Sequence, residues 1–206
     1  TKDYTNTAMY TGASHGTHVA GIVAAEKNDA GMHGAAFDAK LAIAKVSSGN
    51  SFSFSNAKKA ASWGAGLGSV AINLSGEVNH DTAFKNSIVD QGNGNYYSTH
   101  WYYGTNGYNG AGADAPSWKT ALGDEQVLVK AAGNAGKAYS AGMNQMATAT
   151  DANGNLILDG QMIVVGNWDE NNGKLNSSSN KAGTVCATMQ NNVCIDAAKI
   201  KDYYIM

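Results

Sequence analysis

The 206-residue sequence has little of several features that mark large classes of protein. It contains one proline and two cysteines, only 15% of its residues are charged, and its formal net charge at pH 7 is −2. A net charge so close to zero gives no reason to expect nucleic acid or an anionic membrane as a partner. We find no signal peptide and no apolar run long enough to span a bilayer. The remaining composition, with 43% hydrophobic residues, is typical of a folded domain able to bury a sizeable core.

The two cysteines, Cys186 and Cys194, lie close together in a segment that contains asparagine. This spacing suits a small loop closed by a disulfide, which would imply an oxidising compartment, and two free thiols fit the spacing nearly as well. Low charge with abundant glycine, asparagine, serine and tyrosine is typical of extracellular or surface proteins. The sequence has no initiating methionine and opens on a polar stretch from Thr1, so we expect a fragment of a longer protein.

Short apolar segments alternate with helical patterns along the chain. We predict helices at 14–25, 56–66, 81–91 and 116–125, and strands at 40–46, 69–74, 126–131, 161–166 and 203–206. This alternation predicts a three-layer α/β fold in which helices cover both faces of a mostly parallel sheet. Residues 1–206 would form a single incomplete domain. The glycine-, asparagine- and tyrosine-rich stretch at about 92–115 has no helix or strand period and is interpreted as an insertion or long surface loop.

One histidine-containing stretch stands out near the start, Ser14-His15-Gly16-Thr17-His18-Val19-Ala20-Gly21. Ser14 can cap a helix whose first turn then carries His15. A buried helix with two hydrogen-bonded histidines is the structural alternative. A zinc hydrolase is a further alternative, but Gly-Thr stands where such an enzyme places glutamate, and the histidines are three rather than four residues apart.

A second stretch, Ala131-Ala132-Gly133-Asn134-Ala135-Gly136, follows a predicted buried strand. Ser75 and Gly76 likewise follow the strand predicted at 69–74. Ligand sites in parallel sheets lie beyond the carboxyl ends of the strands. We therefore expect the residues after these two strands to lie on one rim of the sheet.

These segments resemble those of the subtilisin-like serine proteases, the subtilases. The stretch around His15 resembles the family's histidine motif, and 131–136 resembles its oxyanion-hole asparagine motif. Residues 71–76 are similar to the strand that pairs with the substrate backbone, and 162–166 to a later strand. The insertion and the cysteine loop look most like those of bacterial autotransporter subtilases. The resemblance extends over nearly the whole chain.

The resemblance implies a serine endopeptidase that cleaves polypeptides and needs no cofactor. His15 matches the general base, which takes a proton from a serine hydroxyl, and His18 a structural second histidine. Asn134 matches the donor that stabilises the oxyanion. The other implied substrate contacts are backbone groups of Asn73, Leu74, Ser75 and Gly76, with Ala131, Ala132 and Gly133 as walls of a pocket for a large apolar side chain. The parent protein is expected to be secreted or on the bacterial cell surface or outer membrane.

Two motifs of the family do not occur in this sequence. The family's triad runs in the order Asp, His, Ser. Asp3 has no apolar strand before it, and no Gly-Thr-Ser-Met-Ala-like motif is present. We therefore expect a chain truncated at both ends, inactive alone, and able to form homo-oligomers through surface that truncation exposes. A pseudo-protease and a non-catalytic surface-binding or adhesin module are the alternatives.

A turn-rich loop follows the first predicted helix. Asn28 and Asp29 would supply oxygen ligands and Gly31 a tight bend, so a calcium site is one interpretation of this loop and a plain surface turn is the other.

Overall fold

Four parallel strands form the main sheet in a computed structural model of the chain. The structure describes residues 2–3, 15–48, 51–76, 88–90, 96–98, 115–138, 140, 142–183, 185–186, 189–190, 193–194 and 199–206. The chain divides into two units, Thr1–Ser69 and Val70–Met206. The main sheet belongs to the second unit.

The first unit contains helix α1, His15–Ala24, which confirms the helix predicted from the histidine motif. The loop at residues 34–36 closes its C-terminal end, where carbonyls lack helical partners. These N–H groups donate from Gly34 to Ala25 O at 2.8 Å, from Ala35 to Ile22 O at 2.9 Å and from Ala36 to Val23 O at 2.7 Å. A side chain at Gly34 would collide with the backbone of Ala24 and Ala25, so the loop can approach α1 this closely only with glycine there.

Short strands and a second helix complete the first unit. Strand β1 (Lys2–Asp3) pairs in parallel with β2 (Ala44–Lys45), and β3 (Ser47–Ser48) pairs antiparallel with β4 (Ser51–Phe52). Helix α2 spans Phe54–Gly66, close to the prediction, and its N-cap Ser53 accepts a hydrogen bond at Oγ from Asn56 N at 3.2 Å. Its buried residues Ala57 and Ala61 lie one turn apart on one face. The strand predicted at 40–46 is present only at its C-terminal part.

The main sheet of the second unit contains β5 (Ala71–Leu74), β8 (Val127–Ala131), β9 (Met162–Val165) and β15 (Tyr204–Ile205). Their spatial order is β15-β9-β8-β5, and all three pairings are parallel. The register places Leu74 opposite Lys130 and Ala131 opposite Val165. This arrangement confirms the predicted α/β fold with a mostly parallel sheet, and each of the four strands lies within a predicted segment.

The core of the second unit lies around this sheet. Helix α3 (Ala115–Leu122) precedes β8 and buries one face, and a 3₁₀ helix at Gly142–Thr148 contacts β9. A second 3₁₀ helix, Ile200–Tyr203, leads into β15. The core includes Met143 and Met146, together with Trp118, Leu122, Leu128, Leu158, Met162, Val164 and Ile200. Among the described residues, no helix is both long and apolar enough to cross a bilayer.

Two predictions were wrong in the region that precedes α3. Strand β6 (Ile88–Asp90) occupies residues predicted to be helical, and β7 (Tyr96–Ser98) lies in the predicted loop. These strands pair antiparallel, with Val89 opposite Tyr97, and β7 also pairs in parallel with β12 (Val185–Cys186). β-Branched and aromatic residues favour strands, and here a non-local partner decides the conformation. The remaining residues of 92–114 lie outside the described part.

Two antiparallel strand pairs lie outside the predicted helices and strands. Strand β10 (Trp168–Asp169) pairs with β11 (Lys174–Leu175), and β13 (Met189–Gln190) pairs with β14 (Val193–Cys194). Four residues, 170–173, separate β10 from β11, so this pair is closed by local sequence.

Candidate functional site

The carboxyl ends of β5 and β8 are adjacent in the second unit. Because Leu74 lies opposite Lys130, the residues that follow β5 and those that follow β8 leave the sheet side by side. This confirms the prediction that Ser75 and Gly76 share one rim of the sheet with Gly133 and Asn134. In parallel sheets this rim is where ligands bind.

A buried lysine ties the two strand ends together. Lys130 Nζ donates to Gly76 O at 2.6 Å and to Ala131 O at 2.9 Å, and the residue is only 4% exposed. At the end of β5, Asn73 Nδ2 donates to Ser75 Oγ at 2.9 Å. Gly76 is therefore tied to the end of β8, and Asn73 and Ser75 are linked to each other.

The segment after β8 turns sharply at two glycines. We call residues 132–137 the Asn134 loop. Gly133 has φ +103° and Gly136 φ +62°, conformations that glycine adopts without strain. A Cβ atom on Gly136 would lie 2.8 Å from Ser177 O, so the loop passes directly against residues 177–178. Asn134 lies at the tip of the loop and is exposed.

Two buried asparagines hold this loop, and sequence analysis missed both. Asn144 Nδ2 donates to Ala131 O at 3.1 Å and to Ala132 O at 3.2 Å. Asn180 Nδ2 donates to Ala132 O at 3.1 Å. Asn144 lies between the core residues Met143 and Met146, and Asn180 follows three serines; in neither place does a buried amide leave a periodic signal. Most buried polar side chains are hydrogen-bonded, and the backbone partners of these two amides show that they act on the loop.

The predicted general base belongs to the other unit. His15 and His18 both lie on α1, His15 as its first residue, and both imidazoles are exposed. Ser14, the expected N-cap, lies outside the described residues. A third histidine, His33, lies in the loop after α1. Its Nδ1 atom is 3.1 Å from Gly34 O, and its ring makes an edge contact with Phe37 at 5.5 Å between centroids.

The loop at Asn28 forms a tight turn. Asn28 Oδ1 accepts a hydrogen bond from Ala30 N at 3.2 Å, and Asp29 and Gly31 have φ +61° and +69°. Across the described part of the chain, no three His, Cys, Asp or Glu side chains cluster closely enough to hold a metal ion. Calcium binding at Asn28 stays a prediction.

The cysteines lie on separate short strands. Cys186 pairs with Tyr97 between β12 and β7, and Cys194 pairs with Met189 between β14 and β13. The disulfide between them stays a prediction.

Comparison with known proteins bears on the chain as a whole. The model of the subtilase family matches residues 1–199. A search of the curated proteins finds none that matches the chain. The family match covers both units, including the α1 histidines and the Asn134 loop.

Proposed function

Because the chain belongs to the subtilase family of serine peptidases, we propose that it supplies the general base and the oxyanion donor for peptide-bond hydrolysis. The family's substrates are polypeptides. The observation that carries the proposal is the adjacency of the two strand ends, Asn73–Gly76 and Ala131–Asn134, within a chain that matches the family. One strand end would bind the peptide backbone while the other stabilises the reacting carbonyl.

In the proposed reaction, His15 removes the proton from a serine hydroxyl as that oxygen attacks the scissile carbonyl. The carbonyl oxygen gains negative charge in the tetrahedral intermediate. The side-chain amide of Asn134 donates a hydrogen bond to it, and a donor fixed in advance stabilises this charge better than mobile water does. His15 then returns the proton to the leaving amine. An aspartate would hold the His15 ring in the productive tautomer. No cofactor takes part.

Strand β5 supports the proposed mode of substrate binding. Within the described residues it pairs only with β8, so its other edge offers backbone N–H and C=O groups. An extended peptide can bind by adding a strand at such an edge. Ala131, Ala132 and Gly133 carry little side-chain volume, which leaves room for a large apolar side chain next to the scissile bond.

The 206 residues do not contain the family's serine motif, so we propose that this polypeptide alone forms no acyl-enzyme. The test is incubation of the purified chain with a fluorophosphonate probe, followed by intact mass measurement, with an active subtilase as the positive control. We expect the mass of the chain to stay unchanged. A stoichiometric adduct that maps to a serine of this chain would overturn this proposal.

We further propose an extracellular setting, either secreted or on a bacterial surface, in an autotransporter-like parent protein. A disulfide between Cys186 and Cys194 would fit such an oxidising compartment. Alkylation of the unreduced protein, followed by mass measurement, should leave both thiols unmodified. Two alkylated cysteines would contradict the disulfide.

Oligomers of the isolated chain are a further expectation, which light scattering would test.

A further inference from the structure

One buried side chain makes three hydrogen bonds to the loop that carries Asn134. Asn180 is 7% exposed. Its Oδ1 atom accepts from Ala135 N at 3.2 Å and from Lys137 N at 3.0 Å, and its Nδ2 atom donates to Ala132 O at 3.1 Å. These partners lie on both sides of Asn134 in the sequence. The nitrogen of this one amide group therefore hydrogen-bonds to the loop before its tip, and the oxygen hydrogen-bonds to the loop after it.

Backbone hydrogen bonds around Asn180 also connect its segment to the Asn134 loop. Asn180 N donates to Gly133 O at 2.8 Å, Gly136 N donates to Ser178 O at 2.7 Å, and Lys181 N donates to Lys137 O at 2.9 Å. The segment 178–181 thus runs along the Asn134 loop and pairs with it. Gly136 can take part only because it lacks a side chain that would meet Ser177 O.

Asn180 is itself held from the main sheet. The hydroxyl group of Tyr204, on β15, donates to Asn180 O at 2.5 Å. Tyr204 passes over Gly166, where any Cβ would collide with the ring and its hydroxyl. Strand β15 pairs with β9, so this contact connects the Asn134 loop to the far side of the sheet. Asn144 differs, because its amide contacts only Ala131 and Ala132, before the tip.

We propose that Asn180 is a positioning residue of the oxyanion site, whose side-chain amide fixes the orientation of Asn134. The proposal rests on the proposed function for its catalytic meaning. A loop with two left-handed glycines has many accessible conformations, and its local sequence does not select one. An oxyanion donor must be held within about 0.5 Å of its productive position to be effective. Asn180 supplies that restraint through Ala132, Ala135 and Lys137.

The test is NMR spectroscopy of the ¹⁵N-labelled 206-residue chain. The variant Asn180→Ala removes all three side-chain hydrogen bonds. We expect amide hydrogen exchange at Ala135 and Lys137 to accelerate about 10-fold or more, the factor that one lost hydrogen bond represents. We also expect the side-chain NH₂ signals of Asn134, assigned by their absence in Asn134→Ala, to shift or broaden.

Two further variants separate positioning from general stability. Asn176→Ala removes an amide from the same segment, one that contacts only Ser178, at N and at Oγ. It should leave exchange at Ala135 and Lys137 and the Asn134 signals unchanged. Asn180→Asp keeps the acceptor for Ala135 and Lys137 but loses the donor to Ala132, so it should retain their protection and shift the Asn134 signals less than Asn180→Ala does.

Unchanged Asn134 signals in both Asn180 variants would overturn the proposal, as would equal shifts in Asn176→Ala. If Asn180→Ala does not fold, Asn180→Asp decides alone, and unaltered Asn134 signals there count against the proposal. None of these signals requires peptide hydrolysis. A failure of the proposed peptidase function would therefore leave the readings interpretable, and a failure of the positioning role would leave the peptidase proposal standing.

Discussion

At the scale of single residues, two separate features of the Asn134 loop require glycine at position 136. Gly136 has a left-handed φ of +62°, and a Cβ there would lie 2.8 Å from Ser177 O. Gly154 has a similar φ of +82° but open space around its Cβ position. Comparing alanine substitutions at these two glycines therefore separates the cost of backbone strain from the cost of collision with a neighbouring residue.

We predict that Gly154→Ala lowers the free energy of unfolding by about 1–2 kcal/mol, the strain of a left-handed alanine. Gly136→Ala should lower it by about 1–3 kcal/mol more, because the loop must also move away from Ser177. Urea denaturation of the two variants and the wild type measures both values. Equal losses in the two variants would show that the contact with residues 177–178 contributes nothing.

Two asparagines show which site residues can be predicted from the sequence and which cannot. Asn134 could be found because its motif is contiguous and follows a buried strand. Asn180 could not be found, because its significance comes from Ala132, Ala135 and Lys137, which lie 43–48 positions earlier in the chain. Nothing in the stretch 177–180 distinguishes this asparagine from a solvated one before the chain folds.

At the scale of elements, the turn between Thr150 and Leu156 is organised by one carboxylate. Asp151 Oδ1 accepts hydrogen bonds from Asn153 N at 2.8 Å and from Asn155 N at 2.9 Å, and Oδ2 accepts from Asn155 Nδ2 at 3.1 Å. The backbone N–H of Asn155, then its side-chain amide, hold the pKa of Asp151 below its ordinary value of 3.8. The ionised form of the Asp151 side chain therefore stabilises the turn.

The sign of the pH dependence follows from this lowered pKa. The unfolded chain binds the proton first as pH falls, so the contribution of Asp151 is fully present above the unfolded pKa and is lost as pH falls through the folded one. We predict that the difference in unfolding free energy between wild type and Asp151→Asn is constant above about pH 5 and shrinks below pH 3.8. A difference that grows in acid would contradict this assignment.

The elements that sequence predicted well are those with their own hydrophobic period. Helix α2 and the strands of the main sheet lie close to their predicted positions, because burial on one face or on both leaves a readable pattern. Strands β6 and β7 were missed. Each is three residues long; the two strands pair with each other, and β7 also pairs with β12, so no window of local sequence contains the cause.

At the scale of the whole molecule, the family match extends over residues 1–199, and the predicted catalytic residues fall in different units of the chain. The histidine motif has the helical context that sequence predicted, and the asparagine motif has the strand context. The α/β fold and the family could both be predicted from sequence, because they depend on motifs and periods spread over the chain.

The most direct measurement is a peptide-cleavage assay on the full-length product of the gene, comparing wild type with His15→Ala and with His33→Ala. His33 is a matched control, because it lies in the same unit and contacts Gly34 and Phe37 rather than belonging to the histidine motif. We expect His15→Ala to abolish kcat at unchanged folding, because the serine then has no base, and His33→Ala to retain activity. Cleavage by His15→Ala at the wild-type rate would contradict the role of His15 as the general base.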